Sequence, residues 1–155
     1  MPLSYSFTLT NDITLITLGN IKNVLCFTAE IFKMLFEKGV NVDMISHIPQ
    51  QALSGELRFT INDRDLGAAL SVISELRILL PEIKSTVCSN NSKIVIRSPV
   101  MNEKSGIAFA VLKALALCDA DLRLITTAES EISLLMPSPC APGALVSLEK
   151  AFNSL

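Results

Sequence analysis

The chain has 155 residues, of which half are hydrophobic and 18% charged, so it has the composition of a packed globular protein and not of a disordered one. Thirteen Lys and Arg against fifteen Asp and Glu leave no basic surplus to hold phosphate backbones, which excludes nucleic acid as an expected partner. The most apolar run, GIAFAVLKALALC at 106–118, contains Lys113 and is too short to cross a bilayer, so no membrane partner is expected either.

The N-terminal stretch MPLSYSFTLTND lacks a basic segment followed by an apolar one, and a cytoplasmic location is the expectation. Within it SYSFTLT, residues 4–10, reads as a strand. A short β-branched run, ITLIT, follows. A helical stripe comes next, with Thr28, Ile31, Phe32 and Leu35 at i, i+3, i+4 and i+7. Then come a further strand in VNVDMIS, a loop HIPQQALSG, and ELRFTI, which alternates like a hairpin partner. A second stripe, Leu66, Ala69, Leu70, Ile73 and Leu76, leads to KSTVC at 84–88, another strand.

From Lys93 the pattern starts again. Placing Ile13 on Lys93 carries the first strand onto KIVIR and the first stripe onto Ala108, Val111, Leu112 and Leu115. The same register lays KGVNVDMISH over CDADLRLITT, which keeps the order of polar and apolar types although only Ile45 and Ile125 are identical. The first half's longer loop then resets the register, so that ELRFTI falls on EISLLM. A last stripe, Leu145, Leu148 and Phe152, follows Pro139 and Pro142.

Each half therefore predicts strand, helix, strand, strand, helix, heading for a βαββαβ ferredoxin-like unit. The first half has its closing strand in KSTVC. The second half has none, whereas residues 4–10 form a spare strand ahead of the first repeat. Pairing that strand with the second unit completes both sheets. The expected organisation is an α+β chain of two interlaced ferredoxin-like units: 11–90 the first, and 91–155 the second, completed by strand 4–10.

Cys26, Cys88, Cys118 and Cys140 lie far apart without a CxxC pair, and His47 is the only histidine. A zinc site needs three or four convergent ligands, so no metal or other cofactor is expected and the thiols read as small apolar packing residues. There is no Gly-x-Ser-x-Gly and no P-loop, and an enzyme acting alone finds no support.

The segment EKGVNVDMIS, taken with the later ITTAESEISLL, resembles the tandem ACT domains at the C-terminus of aspartokinases, in which a helix, a glycine and NVDMI recur and the second copy carries a similar Thr-x-x-Glu-x-x-Ile-Ser stretch. The resemblance spans nearly the whole chain but not the large glycine-rich catalytic domain of those enzymes. It implies a free-standing regulatory module without kinase activity, which binds a small-molecule effector, an amino acid, and acts by ligand-dependent assembly or by controlling a separate biosynthetic enzyme. A homodimer is expected. The alternative is a structural dimerisation module with no effector.

The resemblance also implies where an effector sits: at the loop entering the first helix of a unit, against the residue beyond NVDMI and the strand start of a neighbouring unit. In the second copy these positions are Glu103, Gly106, Ala108 and Thr127, with Asn41 and Val42 from a first-type unit. In the first copy they are Asn23, Cys26, Thr28 and His47, with Asp121 and Leu122 from a second-type unit. The family prefers an acid at Asn23, glycine at Cys26 and glutamine at His47. The second copy keeps both the acid and the glycine and is the expected site. The first is expected to be degenerate, because a side chain at Cys26 crowds the approach that glycine permits.

Overall fold

The computed structural model describes residues 5–22, 24–49 and 54–154. Among them the order of elements is β1 (Ser6–Lys22), α1 (Val24–Glu37), β2 (Ile45–Pro49), β3 (Ser54–Asn62), α2 (Leu66–Leu79), β4 (Lys84–Arg97), α3 (Ile107–Leu117), β5 (Leu124–Thr127), β6 (Glu131–Pro137) and α4 (Ala141–Phe152). The strands hydrogen-bond in the order β2-β3-β1-β4-β6-β5. Contacts divide the chain into two compact units, one of Asp12–Ser89 and the other of Met1–Asn11 with Asn90–Leu155.

Two strands that the sequence divides are continuous. SYSFTLT and ITLIT form the single β1, and KSTVC and KIVIR the single β4. The polar residues at each junction look like breaks, but the chain passes through them by turning one residue into the left-handed region, Asp12 (φ 60°) in β1 and Asn90 (φ 60°) in β4. Asn and Asp tolerate that conformation better than other side chains. One half of each strand thus serves each unit, and the N-terminal strand completes the second ferredoxin-like unit.

In the unit Asp12–Ser89, β3 lies between β1 and β2 and is antiparallel to both, with Phe59 opposite Ile16 on one side and Ile45 on the other. The inward face of the sheet brings Ile16, Leu18, Leu57, Phe59 and Ile61 against Ile31 and Leu35 of α1 and Val72, Ile73 and Leu76 of α2. These positions follow period 2 on the strands and period 3.6 on the helices.

The second unit repeats the arrangement. β6 lies between β4 and β5, antiparallel to both, from Asn91 opposite Pro137 to Arg97 opposite Glu131 and from Leu124 opposite Leu135 to Thr127 opposite Ile132. Ile94, Ile96, Leu134 and Met136 face Val111 and Leu115 of α3 and Leu148 and Phe152 of α4. Tyr5, just before β1, and Phe7, in its first half, meet the Phe152 ring edge-to-face at centroid distances of 4.7 and 5.7 Å. Ser92 Oγ donates to Asn11 Oδ1 at 2.7 Å.

The echo between residues 38–47 and 118–127 is realised as one helix stop used twice. After α1, Gly39 adopts φ 74° and Val40 N–H donates to Leu35 O at 2.9 Å. After α3, Asp119 adopts φ 52° and Ala120 N–H donates to Leu115 O at 3.1 Å. Both are left-handed C-caps that satisfy an otherwise orphaned carbonyl.

The strands after these caps begin later than VNVDMIS and DLRLIT suggest. Residues 41–44 are irregular because Thr60 Oγ1 takes the Met44 N–H at 2.9 Å, although Asp43 N–H and Met44 O still bond the Thr60 backbone. The α3 stripe is also rotated. Ile107, Val111, Ala114 and Leu115 are buried, whereas Ala108 and Leu112 are exposed. In α2, Val72 is buried where Leu70 is exposed.

Candidate functional site

β4 ends at Arg97, and the chain crosses the end of its unit before α3 begins. Ser98 N–H donates to Ser130 O at 3.0 Å, which fastens this crossing to the β5–β6 hairpin. A single 3-10 turn, Met101–Glu103, follows, with the Met101 side chain buried in the core. Gly106 then turns the backbone to φ 91° and serves as N-cap of α3, its carbonyl accepting from Ala110 N–H at 3.0 Å. A Cβ there meets no heavy atom within 4 Å, so it is the left-handed backbone, not crowding, that calls for glycine.

The opposite wall is the hairpin. β5 ends at Thr127, and Ala128 N–H donates to Glu131 O at 2.8 Å across the turn. Glu129 stands at the tip, where its Oε1 accepts from Asn102 Nδ2 at 3.3 Å. Between the walls lies a cavity of about 260 Å³, lined by Asn102, Gly106, Ala108, Thr127 and Glu129, with Ile107 and Ile132 among its apolar members. The first amides of α3 lack intrahelical partners and carry the positive end of the helix dipole. The cavity therefore pairs an anion-binding helix start with a carboxylate, which suits a zwitterion.

Of the second-copy residues, Gly106, Ala108 and Thr127 come together on this cavity. Glu103 does not line it; it is exposed in the preceding turn, its N–H bonded to Val100 O at 3.1 Å. The carboxylate on the wall belongs to Glu129, which sequence reasoning did not single out although it is the Glu of the Thr-x-x-Glu-x-x-Ile-Ser stretch. Asn102 is a further wall residue to which no motif in the sequence points. Asn41 is exposed and Val42 half-buried in the irregular segment between α1 and β2.

The first-copy residues are placed differently. Asn23 lies outside the described residues. Cys26 is exposed near the start of α1, and His47 is exposed on β2, opposite Leu57. Thr28 is half-buried, and its Oγ1 is a buried oxygen with no hydrogen-bond partner among the described residues. Asp121 is exposed and its Oδ2 accepts from Arg123 Nε at 3.3 Å, while Leu122 packs on the core of its unit. The four cysteines are free thiols, and no cluster of potential metal ligands occurs among the described residues. No helix among them is long and apolar enough to cross a membrane.

The regulatory subunit of aspartate kinase from Thermus thermophilus, solved without ligand, superposes with a TM-score of 0.88 at 22% identity, covering 98% of this chain and 99% of that one. The fold is that of an aspartokinase regulatory subunit. E. coli aspartokinase III, solved in complex with lysine and aspartate, shares this regulatory-subunit fold over 99% of the present chain and 33% of its own, with a TM-score of 0.70 and 17% identity. In sequence, the aspartokinase of Bacillus sp. (strain MGA3) is 25% identical over 143 residues, 92% of this chain. The chain spans about a third of the length of the curated aspartokinases it matches. No protein-family model matches it.

Proposed function

We propose that the chain is a regulatory module of the ACT type, located in the cytoplasm, whose effector is an amino acid bound at the start of α3. The observation that carries this reading is the cavity in which Gly106 opens the first turn of α3 toward a carboxylate at Glu129, with Ala108 and Thr127 beside it. The effector's carboxylate lies on the α3 amides, and its ammonium group pairs with a side-chain carboxylate, Glu103 or Glu129. Asn41 and Val42 from a first-type unit complete the site. The first-copy set, Asn23, Cys26, Thr28 and His47 with Asp121 and Leu122, is a weaker second site. That E. coli aspartokinase III was solved with lysine and aspartate supports the ligand class.

Binding is read out by homodimer assembly or by the module's hold on a separate biosynthetic enzyme. The homodimer rests on an edge strand: among the described residues β2 lies at the end of the strand order, and its Ile45 and Ile48 are 47% and 43% exposed. Light scattering at high micromolar concentration is expected to give twice the monomer mass of 16.8 kDa, and a monomer mass contradicts the proposal. The same exposed isoleucines favour the second reading, a dimerisation module with no effector.

A thermal-shift screen of the twenty amino acids separates the two readings. A ligand at a hundred times its Kd stabilises the folded state by about 2.7 kcal/mol, which raises the midpoint by roughly 5–10 °C for a chain of this size. One or a few amino acids are expected to do so. Twenty null results leave the dimerisation reading.

A further inference from the structure

The unit that holds the cavity has a second concavity, of about 650 Å³, between α3 and α4. Ser147 Oγ donates to Ala114 O at 2.8 Å and ties the two helices together there. Its walls include Phe109, Ala110, Leu117 and Ala151, and Phe109 and Leu117 remain 69% and 78% exposed. Two large apolar side chains standing in water beside one groove mark a surface that gains by being covered.

The charge of the groove opposes that of the chain. The chain carries an excess of acids, with a net charge of −2, whereas the described residues lining the groove include Lys104, Lys113 and Lys150 and no carboxylate. Lys113 Nζ lies 5.8 Å from the centroid of the Phe109 ring, so positive charge sits directly over apolar surface. The lining extends from Lys104 to Leu117, the full length of α3, which at 1.5 Å per residue is about 16 Å. That length matches three turns of helix better than it matches a compact metabolite.

We propose that this groove docks an acidic amphipathic helix of a partner protein, with its apolar stripe on Phe109 and Leu117 and its flanking carboxylates paired with Lys113 and Lys150. Docking here does not depend on effector binding. The two sites adjoin nonetheless, since Lys104, Gly106 and Ile107 line both concavities.

The test uses the full chain and two fluorescent synthetic peptides that share leucines at i, i+3, i+4 and i+7, one with glutamates flanking the stripe and the other with lysines. Anisotropy is expected to show the acidic peptide binding at least about tenfold more tightly than the basic one, with the difference shrinking at high salt. The double variant Lys113→Glu, Lys150→Glu reverses that order while melting as the wild type does, because both side chains are exposed. Equal affinity for the two peptides, no binding of either, or an unchanged acidic preference in the double variant overturns the proposal. So does a change in the protein's own subunit number in that variant, which would mean that a second copy covers the groove.

Discussion

Deleting residues 1–11 is expected to abolish cooperative folding of both units, although the second repeat keeps every residue from 90 onward. The deletion removes Tyr5 and Phe7 from the face of Phe152 and the Asn11 acceptor from Ser92. Full burial of an aromatic contributes about 1.5–3 kcal/mol, of which the half-buried Tyr5 and Phe7 each gain about half, and each ring pair adds about 0.5–1.5. Those losses, with the hydrogen bonds of the missing strand, are a large share of the roughly 5–15 kcal/mol that holds a domain. The sheet edge left open is that of β4, whose Val95 and Ile96 are now 3% and 0% exposed. The damage reaches the other unit because β1 and β4 run through both as continuous strands. A urea titration followed by circular dichroism checks this. A truncated protein with an undiminished midpoint and slope contradicts the interlaced account.

Phe59→Ala is expected to cost about 3–5 kcal/mol, near the top of the range for a single core truncation. Phe59 is 1% exposed, sits on the central strand of its unit between Ile16 and Ile45, and packs edge-to-face on Phe32 at 5.5 Å. With a urea slope of about 2 kcal/mol per molar, the midpoint falls by roughly 2 M. The slope itself should not change, because the same surface is exposed on unfolding. A loss below about 1 kcal/mol would mean that this unit's core is not organised around Phe59.

The sequence shows the repeat because the repeat is a matter of pattern. Gly39 and Asp119 differ chemically yet perform the same left-handed cap, and ELRFTI and EISLLM alternate with period 2 as β3 and β6 do. It does not show that β1 and β4 are continuous, because Asn11-Asp12 and Asn90-Asn91 carry the residue types of turns. Only hydrogen bonding across the sheet keeps a strand going through such residues. The rotation of α3 is hidden for a similar reason. Its run is apolar almost all round, so periodicity alone does not choose between the face of Ala108 and Leu112 and the face of Ile107 and Ala114.

The cavity was legible in part. Gly106, Ala108 and Thr127 share a wall because the loop before α3 and the end of β5 meet at one end of the sheet, a consequence of the ferredoxin-like order of elements. Glu129 is hidden in the sequence because an acid at a hairpin tip reads as a solvated turn residue. Its partner Asn102 lies far away in sequence, so no local spacing links the two.

Calorimetry on the amino acid that gives the largest thermal shift tests the effector site at the start of α3, with Gly106→Val, Glu103→Gln and Glu129→Gln compared with wild type. A lost charge-assisted contact is worth roughly 1.5–3 kcal/mol, so removing the carboxylate that holds the ammonium group should weaken binding at least about tenfold. Glu103→Gln is the variant that the family resemblance singles out, and Glu129→Gln the one that the cavity wall singles out. Gly106→Val should weaken binding as much, by forcing a β-branched residue to φ 91° at the start of α3 and adding bulk on the cavity wall. This loss is expected for Gly106→Val and for at least one of the two glutamates, with both glutamine variants melting as the wild type does. An amino acid that binds all four proteins equally well contradicts it and places the effector elsewhere.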